Sequence, residues 1–135
     1  MKIIRISHLG IAPKDTNQAF PFFNNILGLE NLGSEKVDDQ KVEVSFLKCE
    51  NTRLELLLPT ESDSPIAKFL ASKGSGIHHI AFEVDNIEEW LIHLKKNAIQ
   101  LIDEKPRNGA HNTKIIFIHP RATGGILVEL VEENK

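Results

Sequence analysis

The feature that most constrains the fold of this chain is an internal repeat. Residues 6–12 (ISHLGIA) and 77–84 (IHHIAFEV) are both apolar, β-prone runs that contain histidine, and each leads into a stretch of helical periodicity. Neither copy is long enough to bury an apolar core of its own, so the two copies are expected to share one. The repeat therefore predicts one supersecondary unit built twice.

Capping-type residues mark the start of a helix in each copy. An Asp-Thr pair at 15–16 opens an apolar pattern that ends at Gly28, and an Asp-Asn pair at 85–86 opens one that ends near Asn97. Proline at position 21 is expected to fall within the first turns of its helix, where a missing donor is tolerated. Each copy thus predicts a strand followed by a helix.

Short runs typical of strands follow each helix. They are 40–48 and 54–58 in the first copy, and about 100–103, 113–119 and 125–131 in the second. The second copy has the order strand–helix–strand–strand–strand, and the repeat assigns the same order to the first copy, which predicts an α+β fold of two β-α-β-β-β modules.

The segment between the copies has a helical pattern of its own. Residues 64–73 begin with Ser64 and Pro65, and a Gly-Ser-Gly break follows at 74–76. We expect a single domain over 1–135, with modules at about 1–60 and 76–135 and a linking helix at about 64–73.

A glutamate lies late in each copy within an otherwise apolar run. The residue numbers differ by 47 between His8 and Glu55 and by 50 between His79 and Glu129. Since alternate strand residues face opposite sides, Glu55 and Glu129 point away from their leucine and valine neighbours, and each histidine points away from its apolar neighbours. The sequence predicts a histidine and a glutamate on one face in each module.

Carboxylates among leucines are costly unless they are hydrogen-bonded, paired or bound to a metal. Two of them, matched with two histidines, suggest one shared divalent cation with His8, Glu55, His79 and Glu129 as ligands. Two imidazoles and two carboxylates leave two octahedral positions for water or substrate and accept cobalt, manganese, nickel or zinc.

Composition narrows the function classes. A net charge of −3 argues against nucleic-acid binding, and the single cysteine is typical of a reducing compartment, so the cytoplasm is the expected location. No apolar run approaches the roughly 18 residues that a membrane span needs. The expected partner is a small molecule.

Several stretches resemble the vicinal-oxygen-chelate superfamily, which includes glyoxalases, ring-cleaving dioxygenases and antibiotic-sequestering proteins, and within it the methylmalonyl-CoA epimerases. The stretches are 63–70, 76–84, 109–111, 114–120 and 124–130. The resemblance implies a cupped mixed sheet around a metal site, with cobalt as the expected metal, and a homodimer. It also places the family's metal positions on His8, Glu55, His79 and Glu129.

The activity that the resemblance implies is interconversion of (R)- and (S)-methylmalonyl-CoA by α-proton transfer through a metal-stabilised enolate. Inversion needs an acid/base group on each side of the α-carbon. Glu129 is the first candidate and Glu55 the second. The family pattern has a carboxylate on the middle strand of the first module, but strand alternation places Glu43 on the solvent side and Val44 at the inward position.

Two other functions fit the same fold. A glyoxalase I acting on a glutathione hemithioacetal would need anchors for the glutathione carboxylates near the first strand, where Arg5 is available on the face opposite His8. A non-catalytic resistance protein of this fold would bind a small molecule and often lacks the four ligands. Retention of all four favours an enzyme.

Overall fold

The computed structural model describes residues 1–133 and contains eight strands and three α-helices in that range. The strands are β1 (Ile3–Ala12), β2 (Glu30–Val37), β3 (Val42–Cys49), β4 (Thr52–Pro59), β5 (Gly76–Val84), β6 (Arg107–Asn108), β7 (Lys114–Ile118) and β8 (Val128–Glu132). The helices are α1 (Thr16–Pro21), α2 (Pro65–Lys73) and α3 (Ile87–Lys96). The order β-α-β-β-β occurs twice, which confirms the predicted α+β modules.

Side-chain caps start all three helices. Asp15 accepts from two backbone N–H groups at the start of α1, Ser64 does so at α2, and Asn86 accepts from Glu89 N–H at α3. Pro65 is the first residue of α2, and Gly74, with a φ of 77°, follows its last turn. The predicted helix starts and the linking helix are confirmed.

Backbone contacts divide the chain into two compact units, one of which is His8–His78. Its strands lie in the order β2-β3-β4-β1, with β1 parallel to β4 and the other neighbours antiparallel. The parallel pair is a natural result of the crossover through α1.

The other unit comprises Met1–Ser7 and the described residues from His79 onward. Its strands lie in the order β1-β5-β8-β7-β6, with β5 parallel to β8, and β8 and β6 antiparallel to β7. Helix α3 covers one face of this sheet with a core that includes Ile87, Leu91, Ile116 and Leu130. This unit repeats the pairing scheme of the first.

The first helix is shorter than predicted. Alpha-helical bonding ends at Pro21, and the next turn, Phe22–Ile26, is wider, with Leu27 N–H donating to Phe22 C=O at 3.0 Å. Pro21 lies at the sixth helical position, within the first two turns as predicted. Proline lacks the N–H donor and its ring crowds the carbonyl four residues earlier, so regular α-helical bonding ends at this residue.

The prediction of a strand at 100–103 is wrong. Leu101 forms a single bridge to Ile118, and the next strand of this module is the two-residue β6. The ladder ends because the Asp103 carboxylate accepts from Phe117 N–H at 3.0 Å, in place of a backbone carbonyl.

No helix among residues 1–133 is long and apolar enough to cross a membrane.

We predict that Ser64→Ala lowers the free energy of unfolding by about 1–2 kcal/mol, because the fully buried Ser64 hydroxyl accepts from Ile66 N–H at 3.0 Å and from Ala67 N–H at 3.4 Å. Urea unfolding followed by circular dichroism measures the loss. The exposed Ser62 is the control, for which alanine should change stability by less than about 0.5 kcal/mol. Equal stability of both variants would contradict the capping role.

Candidate metal-binding site

The first histidine and glutamate form a buried pair within the unit His8–His78. His8 is 5% exposed, Glu55 is 5% exposed, and His8 Nδ1 lies 3.2 Å from Glu55 Oε2. Strand register explains the contact, because His8 is paired with Arg53 and Gly10 with Glu55. His8 and Glu55 are therefore diagonal neighbours on the same face of two parallel strands.

The second histidine and glutamate form the equivalent pair in the other unit. His79 Nε2 lies 3.0 Å from Glu129 Oε1, and both residues are about as buried as the first pair. Ala81 is paired with Glu129, so His79 again precedes the residue opposite the glutamate by two positions. The sequence repeat is thus also a repeat of strand register.

The residues beside each glutamate are also repeated. On one side lies a small residue, Gly10 beside Glu55 and Ala81 beside Glu129. On the other side lies a phenylalanine directly opposite the carboxylate in the antiparallel register, Phe46 for Glu55 and Phe117 for Glu129. The register thus repeats a small residue on one side of each glutamate and a phenylalanine on the other.

We call the face that carries the histidine and the glutamate in each unit the ligand face. Its other side chains are mainly apolar: Ala81, Ile115, Phe117 and Val131 in one unit and Val42, Val44, Phe46 and Leu57 in the other. The Phe117 ring meets His79 edge-on at a centroid distance of 5.6 Å. Carboxylates on such faces are shielded from water, which strengthens their interaction with any cation.

The donor atoms fit a divalent metal. Buried imidazole nitrogens and carboxylate oxygens suit cobalt, manganese, nickel and zinc, and His8, His79 and Glu129 are candidate ligands by donor type and burial. Glu55 has the same chemistry and burial. A cation would offset the cost of burying carboxylates among apolar side chains.

Glu43 lies on the opposite face of its sheet from Glu55. Phe46 pairs with Glu55, and Val44 shares the face of Phe46 by strand alternation, whereas Glu43 pairs with the exposed Leu58. Every residue of β3 is described, and none on the ligand face is acidic. The sequence-based assignment of Val44 to the inward position agrees with this register.

Arg5 is bound to acidic side chains. Its Nε donates to Glu83 Oε1 at 2.6 Å, and its Nη2 lies 3.5 Å from Glu133 Oε1. Glu83 is only 6% exposed, so Arg5 neutralises a buried carboxylate. This role competes with anchoring a glutathione carboxylate.

The other four histidines lie in different environments. His78 packs edge-on against Phe69 at 5.0 Å, and His93 and His111 are exposed. His119 Nδ1 accepts from Arg121 N–H at the turn after β7.

Sequence reasoning missed Arg53, whose guanidinium contacts Glu55. It also missed the paired small residue and phenylalanine beside each glutamate. Alternation does indicate that Arg53 shares the face of Glu55, but only the register shows which residues of other strands lie beside that carboxylate.

An open cavity of about 830 Å³ lies at the end of β1, within the unit His8–His78. It is lined by Pro13, Lys14, Asp15, Gln18, Ala19, Phe22 and Ser75. Its size is that of cavities that bind small molecules and cofactors, and its wall offers both apolar and polar groups. It begins five residues after His8 along the same strand and loop.

The chain matches the family model described as the glyoxalase/bleomycin resistance protein/dioxygenase superfamily over residues 7–117. It is 47% identical to the uncharacterized protein YqjC of Bacillus subtilis over 95% of this chain and 91% of that protein. It is 43% identical to the mitochondrial methylmalonyl-CoA epimerase of Homo sapiens over 93% of this chain and 72% of that protein.

A solved methylmalonyl-CoA epimerase in complex with methylmalonyl-CoA and ammonium superimposes with a TM-score of 0.93. It is 32% identical, over 98% of this chain and 96% of that chain. The fold, the buried histidines and carboxylates, and these matches define a vicinal-oxygen-chelate protein. Within that superfamily, this chain belongs to the methylmalonyl-CoA epimerase family, a family of isomerases.

We predict that Ala81→Ile lowers the free energy of unfolding by about 1–3 kcal/mol. Ala81 is fully buried beside Glu129, so the added carbons must displace either the ligand-face core or the carboxylate. Urea unfolding measures the loss. Ile77→Val, on the same strand and face but 63% exposed, is the control and should change stability by less than about 0.5 kcal/mol. An unperturbed Ala81→Ile protein would show that the small residue is not required.

Proposed function

We propose that this chain is a metal-dependent epimerase that interconverts (R)- and (S)-methylmalonyl-CoA. The observation that carries the proposal is the buried histidine–glutamate pair, which recurs in both units with the same register on a mainly apolar face. Family membership adds the substrate class, since related proteins are named for this reaction.

The proposed metal ligands are His8, Glu55, His79 and Glu129. They would hold one divalent ion, cobalt in our proposal, with manganese, nickel or zinc as alternatives that the same donors accept. When bound, the ion supplies a Lewis acid that stabilises negative charge on the thioester oxygen. The remaining chemistry falls to the side chains of this chain.

The α-carbon of methylmalonyl-CoA lies between a thioester and a carboxylate. A base removes its proton, the C–H electron pair moves into the thioester carbonyl to give an enolate, and an acid on the other face returns a proton to the same carbon. Inversion follows because the two groups lie on opposite faces. We assign them to Glu129 and Glu55, one as carboxylate and the other as carboxylic acid, with the roles exchanged in the reverse direction.

The register of β3 supports this pair over one that includes Glu43. The positions of β3 on the ligand face are Val42, Val44, Phe46 and Lys48, so the strand offers no carboxylate where a separate base would be needed. Glu55 and Glu129 are the buried glutamates that contact a histidine on the ligand faces, whereas the buried Glu83 is bound by Arg5.

The glyoxalase I alternative has less support. Arg5, the candidate anchor for a glutathione carboxylate near the start of β1, is bound to Glu83 and Glu133. Burial of a carboxylate is costly, and a non-catalytic binding protein would not need two buried carboxylates next to histidines.

The expected ligand is an acyl-CoA, and the cavity at the end of β1 could accept part of such a long thioester. We also propose that the protein is cytoplasmic, as the single cysteine suggests, and forms a homodimer.

We predict that the metal-free protein with added cobalt catalyses exchange of the C2 proton of methylmalonyl-CoA with deuterium from solvent, whereas the metal-free protein alone does not. His79→Ala should lose the roughly one bound cobalt per chain and the exchange, because an imidazole ligand is removed. Mass spectrometry follows exchange, and metal analysis gives stoichiometry. Exchange on a glutathione hemithioacetal with none on methylmalonyl-CoA would establish the glyoxalase alternative.

We predict that Glu129→Gln lowers turnover by about 100- to 10,000-fold, because the amide keeps an oxygen donor but cannot accept the proton. Part of the bound cobalt should remain. The control, Glu43→Gln, should change turnover by less than about threefold, since Glu43 lies on the face opposite Glu55. Separate assays of each epimer check both variants.

A face-selective loss in Glu43→Gln, with exchange kept for one epimer and interconversion abolished, would make Glu43 the second base. It would also contradict the assignment of that role to Glu55.

A further inference from the structure

Arg53 touches the carboxylate of Glu55 from the same strand. It precedes Glu55 by two residues, so both side chains lie on the ligand face of β4. Its Nε and Nη2 lie 3.4 and 3.3 Å from Glu55 Oε2. The Arg53 side chain is 19% exposed and the Glu55 side chain 6% exposed, so the pair is largely shielded from water.

The contacts of Glu55 are unequal between its two oxygens. Within residues 1–133, the polar side-chain contacts of Glu55 all go to Oε2, which receives the Arg53 guanidinium and lies 3.2 Å from His8 Nδ1. A guanidinium is planar and carries its donors in a fixed fork, so it restricts the rotation of the carboxylate it binds. Oε1 is thereby held in one direction.

We propose that Arg53 is a positioning residue that fixes Glu55 by binding Oε2, so that Oε1 is presented as the metal-binding oxygen. The inference rests on the proposed function in one respect, the assignment of Glu55 as a metal ligand. Partners that orient metal ligands typically raise metal affinity by about 10- to 100-fold.

The charge of Arg53 and its contact with Glu55 predict opposite changes in metal affinity when Arg53 is removed. The direction of the measured change therefore decides between the two effects. A guanidinium close to a cation site repels the cation, so its removal should tighten metal binding if charge is all that Arg53 contributes. If Arg53 acts by holding Glu55, its removal should weaken binding in spite of the lost repulsion.

The test measures cobalt affinity by calorimetry on the full chain, without any substrate. We expect Arg53→Met to raise the cobalt Kd by about 10- to 100-fold. Arg53→Lys, which keeps the charge and one donor group but not the fork, should fall between Arg53→Met and the parent. A Kd for Arg53→Met equal to or lower than that of the parent would overturn the proposal.

The matched control is Lys48→Met. Lys48 is exposed and is paired with Arg53 across β3 and β4. The Lys48→Met change therefore removes a positive charge from the same face. We expect its cobalt Kd to stay within about twofold of the parent value, as for a screened surface charge. A loss equal to that of Arg53→Met would mean that the effect is not specific to the Glu55 contact, and the proposal would fail.

A double-mutant cycle shows whether Arg53 acts through Glu55. In a Glu55→Ala background, Arg53→Met should no longer weaken cobalt binding, because the carboxylate that it positions is absent. Additive losses would contradict the proposal, as would a Glu55→Ala protein that binds cobalt as tightly as the parent. Circular dichroism checks that each variant is folded, and Arg53→Lys decides the outcome if Arg53→Met is not.

These measurements are separate from the epimerase assay. If the cobalt results follow the proposal but methylmalonyl-CoA shows no exchange, the proposed substrate is wrong and the role of Arg53 stands. If exchange is observed but Arg53→Met binds cobalt normally, the positioning role alone is wrong.

Discussion

The parallel pairing of β1 with β4, and of β5 with β8, is the constraint on which the candidate site depends. In each unit this register places the histidine two residues before a small residue that lies opposite the glutamate. A shift of either register by one residue would turn the glutamate to the other face and separate the pair. The contacts of 3.2 and 3.0 Å are consequences of backbone hydrogen bonding between strands far apart in the chain.

The second element of the site is its apolar surroundings. Phe46 and Phe117 lie directly opposite the two glutamates, and buried aliphatic side chains occupy much of the rest of both ligand faces. In such surroundings an unpaired carboxylate is unfavourable, whereas a carboxylate next to a cation binds it strongly. The reason is that shielding from water raises both the cost of burying the charge and the strength of its attraction to the cation. The polar contacts that Glu55 makes with His8 and Arg53 follow from this balance.

Local sequence patterns predicted much of the secondary structure, but they did not predict elements that depend on pairing between distant strands. The caps Asp15, Ser64 and Asn86 correctly marked three helices, since capping depends on residues within one turn. The sequence analysis gave no position for β2, which is mostly exposed and has a register irregularity between Asn31 and Gly33. An edge strand of this kind lacks the apolar alternation by which strands are recognised.

By itself, the sequence determined the two-module organisation and the face on which each histidine and glutamate lies. These follow from internal similarity and from the two-residue period of a strand, both of which are local properties. Only the tertiary structure decided that Gly10 and Ala81 adjoin the glutamates, and that His8 and Arg53 meet at the same oxygen of Glu55. The physical reason is that register is set by hydrogen bonds between strands more than forty residues apart, and no local pattern specifies which residues those bonds align.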